Sequence, residues 1–125
     1  MFSHIVVGSN DLDRSRKFYD ATFAAIGAGP GTIDAKGRLV YTKDGARLLI
    51  TKPIDGKDAT HANGGTIGFK MDNPAMAKAW HDAGVANGGT SIENPPGVRE
   101  GTRRLFLAYL RDPDGNKLCG GCAAS

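Results

Sequence analysis

Short apolar runs broken by turn residues dominate the chain, and two longer stretches switch to a three- and four-residue step. Phe2 to Val7 is short and β-branched and reads as a strand. Ser9-Asn10-Asp11 then supplies helix-start residues, with Asp11 and Asp13 suited to the positive end of the helix dipole. Leu12, Ser15, Arg16, Tyr19, Phe23 and Ile26, with Phe18 beside them, predict an amphipathic helix. Gly27 to Gly31 ends it, because glycine caps and Pro30 cannot continue a helix. Extended runs follow at 32–34, 38–42 and 47–51, separated by Lys36-Gly37 and Asp44-Gly45. Asp-Gly between two apolar runs is a strong hairpin signal. The stretch 53–65 is polar and aperiodic and reads as a linker.

The second half repeats this order. Thr66 to Met71 is a strand, and Asp72-Asn73-Pro74 opens a helix with Pro74 suited to its first position. Met76, Ala79, Trp80 and Ala83 form its apolar stripe, and Gly84 to Gly89 close it. Ser91-Ile92-Glu93 is a short strand, and 94–102, with Pro95-Pro96-Gly97, is a loop. Arg104 to Leu110 and Lys117-Leu118-Cys119 flank the turn Asp112-Pro113-Asp114-Gly115-Asn116. In that turn Pro113 fixes φ, the aspartates bond local backbone and Gly115 accepts a positive φ.

A shift of 62 positions lays His4 on Thr66, Ile5 on Ile67, Phe18 on Trp80 and Gly27 on Gly89. Later the offset grows, with Tyr41 on Tyr109 and Leu49 on Cys119, so the second half carries insertions. The expected fold class is α+β, with two βαβββ repeats forming a cupped mixed sheet and helices outside. The expected organisation is one domain, with modules at 1–52 and 66–125 joined by the linker 53–65. Two such modules side by side enclose a cleft, a usual place for a small ligand.

Composition narrows the partners. A chain of 125 residues suits a single core. Net charge is +3 with no Lys/Arg run, which points away from nucleic acid and leaves a weak preference for anions. No apolar stretch approaches the ~18 residues that span a bilayer, and no secretory signal is visible. The expectation is a cytoplasmic protein with no membrane partner and two reduced cysteines.

His4, then Asn10-Asp11-Leu12-Asp13-Arg14-Ser15 with Phe18-Tyr19, and finally Asp112-Pro113-Asp114-Gly115-Asn116, resemble the vicinal oxygen chelate superfamily. That group contains glyoxalase I, extradiol dioxygenases, fosfomycin-resistance transferases and bleomycin-resistance proteins. The resemblance covers the whole chain. It implies a divalent metal in the cup, held from the first and last strands of each half, and a homodimer. Carried onto this chain, the ligand positions are His4, Leu49, Thr66 and Cys119. Leu49 has no donor, Thr66 is a poor one, and Cys119 stands where a glutamate is usual. His4 and Cys119 alone fall short of the three protein ligands of a catalytic site. The expectation is therefore no cofactor, with a degenerate metal site.

Other candidates carry different chemistry. Arg38, Arg47, Arg99, Arg103 and Arg104 offer bidentate grips for an anion. Tyr41 and Tyr109, matched by the repeat, can line the cup. His61, in the linker, is a candidate substitute ligand, and His81 reads as a surface residue. Cys119-Gly120-Gly121-Cys122 is a CxxC, but it ends a strand, and the expectation is that no helix follows to activate it. Glu93 and Glu100 are the only glutamates, so His4 lacks an evident carboxylate partner for acid–base work. The reading is a small-molecule binding protein with ligand candidates His4, Tyr41, Arg47, Thr66, Arg103, Tyr109 and Cys119. The alternative is a metal-dependent lyase, isomerase or dioxygenase.

Overall fold

The computed structural model describes residues 1–124. The first half runs β1 (His4–Gly8), α1 (Leu12–Ala25), β2 (Thr32–Ile33), β3 (Leu39–Lys43) and β4 (Ala46–Thr51). The second runs β5 (Ile67–Lys70), α2 (Pro74–Ala86), β6 (Thr90–Ser91), β7 (Gly97–Arg99), β8 (Leu105–Arg111) and β9 (Lys117–Ala123). The strands form two mixed sheets, ordered β1-β4-β3-β2 and β5-β9-β8-β6, with β7 also pairing β8. In each sheet the first strand lies parallel to the last and the remaining pairs are antiparallel. The registers support the repeat: Val6 pairs with Leu49 in one sheet as Gly68 pairs with Cys119 in the other.

Local chemistry accounts for the element ends. The Asp11 side chain accepts the Arg14 amide at the start of α1, and Asn73 accepts the Met76 amide at the start of α2, with Pro74 following it. Gly27 takes φ 83° beyond α1, and Ala28 N–H closes back onto the Phe23 carbonyl. At the β3–β4 hairpin, Asp44 and Gly45 take φ 51° and 83°, the two positive values that a primed two-residue turn requires. Three details depart from the sequence reading, the first being that the short strand after α2 is Thr90–Ser91 and not Ser91–Glu93, since Glu93 turns out of it at φ 58°. The inserted 94–102 stretch is not all loop, because Gly97–Arg99 adds a strand to β8. The buried stripe of α2 is Ala77, Trp80, His81 and Gly84, one residue on from much of the expected stripe. Gly84 suits that rotation: a β-carbon there would lie 2.4 Å from the Leu110 side chain of β8 and 3.1 Å from Phe18 of α1, so glycine lets α2 lie close to both.

One core runs through both halves. Phe18, Tyr19 and Phe23 of α1 join Leu39, Tyr41, Leu48 and Ile50 of the first sheet and Trp80, Ala108, Leu110 and Leu118 of the second half. Phe23 stacks on Tyr41 at 4.6 Å and meets Phe69 edge-on at 5.7 Å, carrying aromatic contact across the modules. The helices pack outside the two sheets, on the face that carries Leu48, Ile50, Ala108, Leu110 and Leu118.

The β8–β9 turn ties the halves together polar group by polar group. Asp112 is buried; its Oδ1 accepts the Asp114 and Asn116 amides, and its Oδ2 accepts Tyr19 Oη at 2.6 Å and Asn116 Nδ2 at 2.9 Å. Asp114 reaches the start of α1, where Oδ1 accepts the Asn10 amide and Arg14 Nη2 while Oδ2 accepts Ser15 Oγ. Replacing Asp112 with alanine strands several buried donors at once. Urea unfolding of Asp112→Ala is expected to show a loss of about 3 kcal/mol or more; a loss below ~1 kcal/mol would show that the turn is peripheral to stability.

Candidate functional site

A cleft of about 310 Å³ opens between the modules, where β1 and β5 are the unpaired edge strands of their sheets. His4 and Ile5 line one side, and Ile67, Gly68, Phe69 and Lys70 line the other. The end of the β3–β4 hairpin supplies Lys43, Asp44, Arg47 and Leu48, and Phe23, Ile26 and Tyr41 give an aromatic and aliphatic floor. Lys43 pairs with Asp44 at 3.3 Å, whereas Arg47 and Lys70 have no ion pair among the described residues. The cleft thus combines an apolar floor with two uncompensated cations, a combination suited to an apolar molecule carrying one negative group.

Tyr41 occupies an unexpected face. Its neighbour Val40, not Tyr41, lies opposite Leu49, and Val40 therefore holds the position that Tyr109 holds opposite Cys119. Tyr41 turns inward, 2% exposed, and its hydroxyl donates to Asp20 Oδ1 at 2.5 Å. Burial first, then the Asp20 carboxylate, pushes its phenol far above the usual range. Tyr41 is thus a neutral, fixed wall of the cleft floor and not the counterpart of Tyr109 on the free face. A one-residue change of register exchanges the faces of a strand, and the repeat match at Tyr41 carried that error.

The remaining candidates gather elsewhere or stay apart. Tyr109 and Cys119 pair across β8 and β9 on the free face of the second sheet. Lys117 Nζ lies 5.1 Å above the Tyr109 ring and pairs with Glu93, whose backbone sits at φ 58°. Thr66 is exposed just ahead of β5. Arg103 is exposed between β7 and β8, away from the cleft. Arg38 is tied to Asp34 at 2.7 Å, Arg99 donates to the carbonyls of Asn94, Pro95 and Gly97, and Arg104 pairs with Glu100. His61 stands beside Gly115 of the β8–β9 turn. His81 is buried and not a surface residue. Cys122 packs against the core, on the opposite face of β9 from Cys119, so the two thiols of the CxxC point apart.

The donor set does not fit a metal. Leu49 is a buried hydrocarbon in the middle of the first sheet, and His4 Nδ1 lies 2.8 Å from Ser3 Oγ. No three His, Cys, Asp or Glu side chains converge among the described residues. Sequence reasoning missed Lys43, Phe69 and Lys70. Their only signal is position, at a hairpin end or a strand end, which becomes meaningful once the modules are docked. Burial pushes the Cys119 thiol up, and the Tyr109 hydroxyl offsets part of that rise. Its reactive thiolate therefore forms only at higher pH than that of a free thiol. In a Cys122→Ser background, Cys119 is expected to react with iodoacetamide more slowly than free cysteine at pH 8 and to accelerate above the ordinary thiol range. Labelling as fast as free cysteine at pH 8 would contradict this.

Comparison with known proteins agrees with this architecture. The family model described as the Glyoxalase/Bleomycin resistance protein/Dioxygenase superfamily matches residues 1–119. The crystal structure of a glyoxalase/bleomycin resistance protein from Albidiferax ferrireducens T118 is 52% identical, covers 97% of this chain and 98% of its own, and superposes with a TM-score of 0.93. A lactoylglutathione lyase from Agrobacterium tumefaciens, 20% identical over 97% of this chain and 92% of its own, shares the fold at a TM-score of 0.67. A glyoxalase/bleomycin resistance protein/dioxygenase family enzyme from Burkholderia phytofirmans PsJN shares it at 0.72, with 15% identity and 95% of each chain covered. No curated protein matches the sequence significantly. The residue pattern, the paired βαβββ topology and the match over nearly the whole length lead to one assignment: the chain belongs to the Glyoxalase/Bleomycin resistance protein/Dioxygenase superfamily.

Proposed function

We propose that the protein binds a small amphiphilic anion, an aromatic or aliphatic body carrying one carboxylate or similar group, in the cleft between its modules. The observation that carries this reading is the uncompensated pair Arg47 and Lys70 at the rim of a floor built from Phe23, Ile26, Leu48 and Phe69. An apolar floor supplies most of the affinity by excluding water, and a guanidinium at its edge fixes orientation. At about 310 Å³ the cleft is near the lower end of the ~300–1,000 Å³ usual for ligand sites, so the occupant is a compact molecule. His4 at the same wall can donate to or accept from that molecule's polar end.

A probe with this chemistry is 2-naphthoate, with 2-naphthalenemethanol as its neutral counterpart. The naphthoate is expected to bind better, and Arg47→Ala is expected to weaken it about tenfold while leaving the alcohol almost unchanged. Equal binding of acid and alcohol, or no effect of Arg47→Ala, would remove the anionic part of the reading.

The other reading is a metal-dependent lyase, isomerase or dioxygenase with His4 and Cys119 as residual ligands. Among the described residues no converging donor set supports it. Elemental analysis of untagged protein separates the two. The binding reading expects less than a tenth of an equivalent of Zn, Ni, Mn or Fe, and one full equivalent lost on His4→Ala would establish the metal reading. The proposal also includes a homodimer, which would cover the exposed apolar side chains Val6, Ile33 and Val98. Light scattering is expected to give twice the chain mass; a monomer mass at tens of micromolar would contradict it.

A further inference from the structure

The second module holds a set of reactive groups that the cleft does not use. His81 of α2 is buried, and its Nε2 lies 2.7 Å from the Oγ of Ser91 on β6. On its other side, Nδ1 lies 3.1 Å from Asp82 Oδ1. Asp82 is held below the usual carboxylate range, first by Lys78, whose Nζ lies 2.9 Å from Oδ2, and then by His81. An ionised carboxylate only accepts hydrogen bonds, so Nδ1 must carry the proton. In the neutral ring Nε2 is then left to accept the Ser91 hydroxyl. Hydroxyl, imidazole and carboxylate thus follow one another in the order and at the distances of a nucleophile, its base and the group that orients the base.

Two further features support a reactive role over a purely packing one. Ser91 is exposed, although the imidazole behind it is not, so the nucleophile meets solvent while its base stays shielded. The ladder also leaves Ser91 a free amide. Ile92 N–H points toward β8, donating to the Tyr109 carbonyl, and Ser91 is the next residue along in register with Leu110. Antiparallel strands alternate inward and outward amides. The Ser91 N–H therefore faces the open edge, since β6 is the outermost strand in its sheet's order. An amide of the nucleophile itself is one of the oxyanion donors used in serine acyl transfer.

We infer that Ser91, His81 and Asp82 form a nucleophilic acyl-transfer site, separate from the inter-module cleft, that acts on small carboxylic esters at an open strand edge. Ser91 Oγ attacks the ester carbonyl carbon as its proton passes to His81 Nε2. The bond to the leaving oxygen then breaks, and the leaving group takes that proton as the alcohol. Water, deprotonated by the same imidazole, hydrolyses the acyl-serine and releases the acid. His81 and Ser91 are the catalytic residues, and Asp82 is a positioning residue that fixes the ring's tautomer.

The test treats the intact chain with diisopropyl fluorophosphate, in which Ser91 Oγ displaces fluoride from phosphorus and the hydroxyl proton goes to His81. Intact-mass and peptide mass spectrometry are expected to find one adduct per chain, on Ser91, and none in Ser91→Ala. His81→Gln, which keeps a polar side chain but cannot take the proton, is expected to slow labelling roughly 100-fold. Asp82→Asn, at the exposed end of the relay, is expected to slow it about tenfold with an unchanged melting temperature. Asp82→Glu recovers most of the rate, a rescue that a role in stability alone would not produce. A folded parent protein with no Ser91 adduct, labelling confined to tyrosines, or a Ser91 rate indifferent to Asp82→Asn would each overturn the inference. Because the cleft residues take no part, the result is independent of ligand binding there.

Discussion

The structure depends on the pair of carboxylates in the β8–β9 turn. Asp112 organises its own loop with one oxygen and reaches Tyr19 with the other, and Asp114 grips the beginning of α1 through Asn10, Arg14 and Ser15. Asn116 adds a bond from its side-chain amide to the Gly8 carbonyl at the end of β1. A turn near the C-terminus thus holds the β1–α1 junction near the N-terminus. Buried charges are tolerable only when their lone pairs are filled, and here donors from three segments fill them. Tyr19 shows the same constraint from the other side: burial, then Asp112, pushes its phenol far above the usual range, so it stays a donor.

That clamp fixes how the modules face each other, and the cleft follows from it. β1 and β5 lie as separate edges, with no ladder joining them. Between them the inner aromatic floor is reachable from outside, and the rim collects whatever charge the hairpin and strand ends carry. Arg47 and Lys70 come from different modules and become one electrostatic feature only through docking. The free face of the second sheet has a different character. There Lys117 is already matched by Glu93 and covers Tyr109, so that surface is closer to neutral balance.

Much of this was legible in the sequence. Helix starts at Ser9-Asn10-Asp11 and Asp72-Asn73-Pro74, the Asp44-Gly45 hairpin and the Asp-Pro-Asp-Gly-Asn turn are local signals with local causes, and the structure shows each of them, with Asp11 and Asn73 as the caps. Duplication was visible because strand one and the helix shift together by 62 positions. What stayed hidden was long-range. The partners of Asp112 and Asp114 lie about a hundred residues away and look like ordinary helix-start residues. Tyr41 faces the core because the β3–β4 register puts Val40, not Tyr41, opposite Leu49, a one-residue difference that the aromatic match across the repeat does not carry. His81 sits at the helical step after Ala77 and before Gly84, so the buried stripe was present in the spacing. The polarity of histidine masked it. Lys43 and Lys70 gave no signal at all, since a lysine at a strand end is normally a solvated charge.

The binding account is tested most directly by mapping amide chemical-shift changes on isotope-labelled protein as an amphiphilic carboxylate is added. The account expects the changes to cluster on both walls of the cleft, at His4, Ile5, Gly68, Phe69 and Lys70 and at the Lys43–Arg47 end of the hairpin. Changes centred on Tyr109 and Cys119, or scattered over the surface with no saturation, would contradict it.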